Sequence, residues 1–301
     1  MANDPRASET KRIGFVGLGN VGLPAATNLL DAGFDVVGYD IRPSEALVAA
    51  GGTMATDMAE IAACPLIIQS LPSDQALAAT IDGLLPHLAP GQIVVEMSSY
   101  PLETKKAAAA RVAETGAIML DCEVSGLPFQ VAERTAVLFA SGDKAAVDAC
   151  ASAFGAFTAR HFYLGGFGAA TKMKLIANYM VCAHNLIGAE ALNLGAAAGL
   201  DPAQMVEVLK PSAAGSTTFA NKSALMLSRD FATGRGPFRH MFGYLDRALA
   251  LARDSRVEAA TPMLHRVREV YDIAREQGRH DQDIAGIIEV VEAMSALDKA
   301  A

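Results

Sequence analysis

A chain of 301 residues can bury one large apolar core or two ordinary ones without help from disulfides or metals. Its 51% hydrophobic content looks membrane-like, yet the apolar runs, such as Pro65 to Gln69, are strand-sized and fall far short of the roughly 20 residues a spanning helix needs. A net charge of −8, with no basic cluster beyond Lys11-Arg12 and Lys105-Lys106, excludes a nucleic-acid-binding surface, and Cys64, Cys122, Cys150 and Cys182 lack metal-ligand spacing and read as buried small hydrophobes in a reducing compartment.

Residues 1–10 are polar, carry both signs of charge and are expected to be disordered; they match neither a secretory signal nor a transit peptide, so the expected location is cytoplasmic. From 11 to 167, short β-rich runs alternate with helical stretches. The runs are Ile13-Val16, Asp35-Tyr39, Leu66-Gln69, Ile93-Glu96, Ile118-Leu120 and Ala136-Ala140. They are nearly all apolar, as strands are when helices cover both faces of a parallel sheet. From 168 to 301 the strand pattern is gone. A stretch rich in Ala and Leu runs from Ala169 to about Ala198 before Gly199-Leu200-Asp201-Pro202 stops it, and further helical patterns follow at Pro202-Lys210, Phe219-Ser228, Met241-Ser255, Thr261-Gln277 and Ile284-Leu297. The reading is a doubly wound, mostly parallel α/β domain over 11–167 and an all-α domain over 168–301, joined by a long interdomain helix.

The first run leads directly into Gly17-Leu18-Gly19-Asn20-Val21-Gly22, and the helical Leu23-Asp31 follows. In a G-x-G-x-x-G of this placement the first glycine permits a tight turn, the second admits a pyrophosphate to the backbone, the third lets helix and strand pack, and the helix N-terminus attracts the anion. Glycine-rich turns also arise for packing alone. Here Val36-Val37-Gly38-Tyr39-Asp40 supplies the acidic residue at the end of the second strand, which completes a Rossmann dinucleotide fingerprint. Asp40 would accept hydrogen bonds from ribose hydroxyls and repel a 2′-phosphate, so NAD is expected in preference to NADP; Ile41 and Arg42 flank the same position, and Arg42 is the one feature that would favour a phosphate.

Gly17-Leu18-Gly19-Asn20-Val21-Gly22-Leu23-Pro24 resembles the opening of the β-hydroxyacid dehydrogenase family, and the similarity continues in order over nearly the whole chain. The resemblance implies a cofactor-contacting loop at Gln69-Ser70-Leu71-Pro72 and, in Glu96-Met97-Ser98-Ser99, a D-M-S-T-like segment whose last hydroxyl, Ser99, lies near the nicotinamide. Asp121-Cys122-Glu123-Val124-Ser125-Gly126 is similar to the D-x-P-V-S-G-G substrate loop. It implies that Ser125, Gly126 and Leu127 hold a substrate carboxylate on hydroxyl and backbone N–H groups. Gly168 to Asn178 resembles the signature G-x-G-x-x-x-K-x-x-x-N, which gives Lys174 the role of catalytic acid/base and Asn178 that of orienting the substrate. Anchoring on Gly166 and Gly168 would select Lys172 instead, but would put Ile176 where the family has Asn. Residues four apart share a helix face, so Lys174 and Asn178 can converge on one small molecule, whereas Lys172 and Lys174 diverge by about 200° and one of them should be solvated. Outside such motifs both would read as ordinary surface lysines.

Besides Ala170 at the second Gly of that signature, further positions depart from the family pattern: Leu127 stands at the second Gly of the substrate loop, Arg134 at the Gly ending that loop, and Leu245, in Tyr244-Leu245-Asp246, at the Lys of x-Lys-Asp, with Asp246 kept as a cofactor contact. Leu127 and Arg134 are expected to alter the substrate pocket, and Phe129, Leu127 and Leu245 together hint at a bulkier or more apolar substrate. The expected activity is reversible oxidation of a β-hydroxyacid to the semialdehyde or keto acid. An imine reductase or an NADP-dependent glyoxylate/succinic semialdehyde reductase on the same scaffold is the rival within enzymes, and a non-catalytic nucleotide-binding relative is the rival outside them. The Lys174/Asn178 pair argues against the first and last. The six histidines form no ligand or triad spacing, no metal is expected, and the apolar helical domain suggests a homodimer or homotetramer.

Overall fold

The structure, a computed structural model, describes residues 11–232, 236–254 and 259–298; the disorder expected for residues 1–10 lies outside the described residues. The chain divides into two compact units between Lys174 and Leu175, within one long helix.

The first unit holds strands β1 (Arg12–Val16), β2 (Asp35–Tyr39), β3 (Thr53–Met54), β4 (Leu66–Gln69), β5 (Ile93–Glu96), β6 (Ile118–Ser125), β7 (Val137–Ser141) and β8 (Arg160–Tyr163). Between them run helices α1 (Gly22–Asp31), α2 (Glu45–Ala49), α3 (Met58–Ala62), α4 (Asp74–Leu84), α5 (Leu102–Glu114), α6 (Pro128–Ala132), α7 (Lys144–Ala149) and α8 (Ala151–Phe157). The spatial order is β3-β2-β1-β4-β5-β6-β7-β8, and every neighbouring pair is parallel except β6 and β7. Strand order reverses between β1 and β4, and in such sheets ligands bind at the carboxyl ends of the strands beside that switch.

Side-chain alternation sorts the strands between two cores. Ile13, Phe15, Leu66, Ile68, Val95 and Leu120 pack into one; Val16, Ile67, Val94 and Met119 pack into the other, with Ala108 and Val112 of α5. The second face changes character along β6. Beyond Met119 the same face presents Asp121, Glu123 and Ser125, and α5 answers with Lys105, one turn before Ala108 and wholly buried.

All six predicted strands form. The sequence reading missed β3, only two residues long, and β8, an edge strand with Phe162 and Tyr163 largely exposed, and it stopped β6 at Leu120 because charged residues follow. The departure at Arg134 has a backbone cause. Its φ of 59° is left-handed, a conformation glycine takes freely, and the arginine holds it through hydrogen bonds from its guanidinium to Asn28 (3.1 Å) and Asp31 (3.0 Å) of α1.

Helix α9 (Ala169–Ala197) begins in the first unit and continues into the second, followed by α10 (Pro202–Leu209), α11 (Thr217–Ser228), α12 (Phe238–Arg253), α13 (Pro262–Glu276) and α14 (Ile287–Asp298). Gly199 (φ 86°) closes α9, and Asp201 caps α10 by accepting the Gln204 N–H at 2.8 Å, with Pro202 at the first helical position. The helical core gathers Leu186, Leu192, Phe238, Leu245, Tyr271 and Val290. Among the described residues, no helix is long and apolar enough to cross a membrane.

Candidate active site

Five strand ends contribute to one edge of the first unit: Gly17 after β1, Asp40 after β2, Ser70-Leu71 after β4, Ser98-Ser99 after β5 and Ser125 at the end of β6. The glycine turn is as tight as its sequence implies. A Cβ on Gly17 would stand 2.2 Å from the Ser70 carbonyl oxygen, and one on Gly22 would stand 1.9 Å from the Gly17 carbonyl oxygen. Gly19 is different: an added Cβ would meet nothing within 4 Å, so space opens at this point of the loop. Helix α1 has no side-chain cap and no acidic residue in its first turn, which leaves its N-terminal dipole available to an anion. Asp40 accepts the Leu18 N–H at 2.7 Å and the Arg42 N–H at 3.2 Å, so its carboxylate stands directly beside the turn, while Ile41 is 89% exposed. Asn20 is exposed and Val21 half-buried. These residues fit the adenosine and pyrophosphate of a dinucleotide.

The loops after β4 and β5 are tied together. Ser98 Oγ accepts the Leu71 N–H at 2.7 Å, and Tyr100 donates its hydroxyl to the Leu71 carbonyl at 2.8 Å; Pro72, next in the loop, is exposed. Beneath them Glu96 is fully buried and accepts the Ser98 N–H at 2.5 Å. Burial raises its pKa to about 7, against the opposing pull of Lys105. Among the described residues, Glu96 Oε2 and both amide atoms of Gln69, its register partner on β4, are buried without a hydrogen-bond partner.

A network of buried charge lies next to this edge. Lys105 Nζ donates to Asp121 at 2.9 Å and to Glu123 at 3.0 Å, and all three side chains are withdrawn from water. Asp121 also accepts the Thr171 hydroxyl at 2.7 Å, the Thr171 N–H at 3.0 Å and the Ser141 hydroxyl at 2.9 Å, while Ser141 Oγ accepts the Ala170 N–H at 3.1 Å. Burial works against its charge, but Lys105 and these bonds hold the Asp121 pKa below the usual carboxylate range. Asp121 therefore caps the start of α9 from the neighbouring strand.

That anchoring sets Lys174 one turn into α9. Its Nζ donates to the Val124 carbonyl at 2.6 Å, which puts the amine at the carboxyl end of β6, immediately before Ser125 and Gly126. Lys172 is exposed, as the helical geometry requires of one of the two lysines. Burial holds the Lys174 pKa below its ordinary value, Glu123 opposes that, and Lys105 reinforces it. Burial likewise raises the Glu123 pKa, against Lys105 and Lys174. Glu123 Oε2 accepts a short hydrogen bond from Ser99 Oγ, which gives that residue a second connection besides its expected place near the nicotinamide.

Two expected contacts are engaged elsewhere. The Leu127 N–H donates to Gln130 Oε1 at 2.8 Å, so any part it plays in holding a substrate falls to its side chain. Asp246, within the helical unit, is gripped by Arg268 (2.6 Å) and Arg275 (3.0 Å), and Leu245 is fully buried in the helical core. Further along α9, Asn178 is 8% exposed and its Nδ2 has no partner among the described residues. Sequence reasoning missed Glu96, Lys105 and Glu123 as site residues. The available signal was the i, i+2 spacing of Asp121, Glu123 and Ser125, which on a strand puts two acids and the serine expected to meet substrate on one face.

Taken together, a glycine-turn nucleotide cradle, an acid at the end of β2 and a partly buried lysine at the end of β6 define a nicotinamide-dependent oxidoreductase. Comparison with known proteins narrows this class. The family profile for the NAD binding domain of 6-phosphogluconate dehydrogenase matches residues 12–165, and that for the NAD-binding domain of NADP-dependent 3-hydroxyisobutyrate dehydrogenase matches residues 168–291. The chain is 31% identical to the NAD-dependent L-serine dehydrogenase of Pseudomonas aeruginosa, over 91% of this chain and 96% of that protein. It is also 31% identical to the 3-sulfolactaldehyde reductase of Escherichia coli, covering 95% and 97%. The solved structure of Mycobacterium tuberculosis 3-hydroxyisobutyrate dehydrogenase with L-serine shares the fold, with a TM-score of 0.82 at 21% identity over 93% of this chain and 99% of that one. The chain belongs to the 3-hydroxyisobutyrate dehydrogenase family of β-hydroxyacid dehydrogenases, and it is an NAD(P)-dependent enzyme acting on CH–OH groups.

Proposed function

We propose that the enzyme interconverts a small β-hydroxyacid and its semialdehyde or keto acid using NAD, with Lys174 as the general acid/base. The observation that carries this reading is the position of the Lys174 amine, bonded to the Val124 carbonyl beside Ser125 and Gly126. Bound nicotinamide would accept hydride from the hydroxyl-bearing carbon or return it. Lys174 takes the hydroxyl proton during oxidation and gives it back during reduction, and burial favours the neutral form that oxidation requires. Ser125 and the exposed Gly126 backbone receive the substrate carboxylate, the Leu127 side chain borders it, and Asn178, whose Nδ2 has no partner among the described residues, orients the substrate from the next turn of α9.

Gly17, Leu18, Gly19, Asn20, Val21 and Gly22 would take the pyrophosphate, Asp40, Ile41 and Arg42 the adenosine, and Leu71, Pro72 and Ser99 the nicotinamide half. Asp40 supports NAD over NADP, since its carboxylate lies 2.7 Å from the Leu18 amide, where a 2′-phosphate would meet like charge. In this reading residues 11–167 are the NAD-binding domain and 168–301 the substrate and oligomerisation domain. Exposed Ile176, Met180, Ile187 and Leu194 along α9 support a homo-oligomer, and four buried unpaired cysteines suit a reducing, cytoplasmic setting.

The test is a panel of β-hydroxyacids, L-serine and 3-hydroxyisobutyrate among them, assayed with NAD and with NADP by reduced-nicotinamide absorbance. At least one acid should turn over with a higher kcat/KM for NAD. Lys174→Ala should lower kcat on the order of 10²–10⁴-fold while dinucleotide affinity is kept; undiminished turnover in that variant removes the lysine from the chemistry.

A further inference from the structure

Four charged groups, on three elements, make up the buried network beside Lys174, and they are not equivalent. Glu96 on β5 is bonded through Ser98. Asp121 on β6 is committed three times over: to Lys105, to Ser141 and to the first turn of α9. Lys105 on α5 is shared between Asp121 and Glu123. Glu123 alone is both buried and directed to the reacting end of the strand. It sits one residue before the carbonyl that holds Lys174, with Lys105 on one oxygen and the Ser99 hydroxyl on the other. The similar family segment, D-x-P-V-S-G-G, has proline at the position of Glu123.

We propose, resting on the reading of Lys174 as the acid/base, that Glu123 is a positioning residue of the active site: its carboxylate is the counter-charge against which the Lys174 amine gains and loses its proton, and it fixes Ser99 as a hydrogen-bond acceptor. Counted by charge, Asp121 balances Lys105, and Glu123 is left to balance Lys174 when the amine is protonated. Loss of Glu123 removes the charge that opposes burial at Lys174, while burial and the Lys105 ammonium act on the amine in the same direction. The second effect follows from donor inventory. A serine hydroxyl has one proton; with it given to Glu123, Ser99 Oγ keeps only lone pairs for a donor at the nicotinamide end, such as a carboxamide N–H or a substrate hydroxyl.

The experiment is the pH profile of kcat/KM with NAD and L-serine, or whichever acid of the panel turns over fastest, in wild type, Glu123→Gln, Glu123→Asp and Lys105→Met/Glu123→Leu. Glu123→Gln keeps the shape and removes the charge, its single oxygen serving Lys105 or Ser99 but not both. Its ascending limb in the oxidation direction should move to lower pH, on the order of 1 unit, and Glu123→Asp should restore most of the wild-type position. In the double variant Asp121 loses Lys105 but keeps the bonds from Thr171 and Ser141 that hold its charge, so this variant carries the test if the single variant does not fold. Its limb should move in the same direction by less, because the repulsion from Lys105 is lost along with the attraction. A folded Glu123→Gln, or failing that a folded double variant, with an unmoved limb overturns the proposal. Lys174→Ala separates the two readings: if it is inactive while the Glu123 variants keep the wild-type limb, only the role of Glu123 fails, whereas an active Lys174→Ala removes the acid/base assignment itself.

Discussion

Each unit of the molecule buries a lysine against carboxylate, and the two arrangements differ. In the helical unit Lys222 donates to both oxygens of Asp283, at 2.8 and 2.6 Å, and Asp283 also accepts the Ala285 N–H at 2.9 Å, starting the 3₁₀ turn Ile284–Gly286 that leads into α14. That pair is closed. In the sheet unit Lys105 is divided between two carboxylates, a third carboxyl lies close enough to feel it, and a second amine stands beyond. Among the described residues, the Gln69 amide atoms and Glu96 Oε2 have no partner beside it. A buried pair whose hydrogen-bonding capacity is used up defines a turn, while the network at the carboxyl edge of the parallel sheet keeps capacity that no described residue fills.

The sharpest way to break this contrast is Lys222→Met, which strands Asp283 in the interior. It should cost about 3–5 kcal/mol of stability, read from denaturant midpoints, and leave dinucleotide affinity and kcat unchanged in the folded fraction. A loss of kcat without a loss of stability would make the helical pair functional too.

Next in size is Glu96→Gln. Because the folded-state pKa of Glu96 is raised by burial, from 4.5 to about 7, the native state binds more protons than the unfolded chain in that window. Stability therefore falls as pH rises from about 4.5 to about 7, by an amount on the order of 3 kcal/mol. The glutamine variant should flatten that slope, gaining on wild type at pH 8 and not at pH 4; parallel stability curves for the two proteins would show that Glu96 is not the titrating group. The smallest effect belongs to Asp246→Asn. Its arginine contacts are half-exposed, so the expected cost is under about 1 kcal/mol, and calorimetry with NAD shows whether this carboxylate also touches cofactor: a weakened Kd says that it does.

What the sequence made legible followed from strong local constraints. Gly17 and Gly22 admit no side chain because carbonyl oxygens lie within 2.2 Å of where one would start. Six apolar strands announced themselves by composition, and the run from Ala169 to Gly199 announced α9 by length and by its stop signal. The outer half of β6 was hidden, because Asp121 and Glu123 look like loop residues until Lys105, sixteen positions earlier than Asp121, is brought against them. Long-range charge compensation leaves no periodic trace. Leu245 was read through the family pattern as a missing lysine; in the structure it is a core residue packed with Phe238 and Tyr271, so its apolar character answers to the helical interior. The reading of Arg134 as an altered pocket residue has a similar outcome, since the side chain braces α1 in exchange for an unfavourable backbone angle.

The cap that Asp121 places on α9 bears on how the enzyme breathes. Helix ends ordinarily fray, and their first amides exchange with solvent long before the rest of a protein opens. Here the amides of Ala170 and Thr171 are held by Ser141 and Asp121 inside the sheet unit, so the start of α9 cannot loosen until the strand pair β6–β7 does. Lys174 thus inherits the rigidity of a sheet although it rides on a helix.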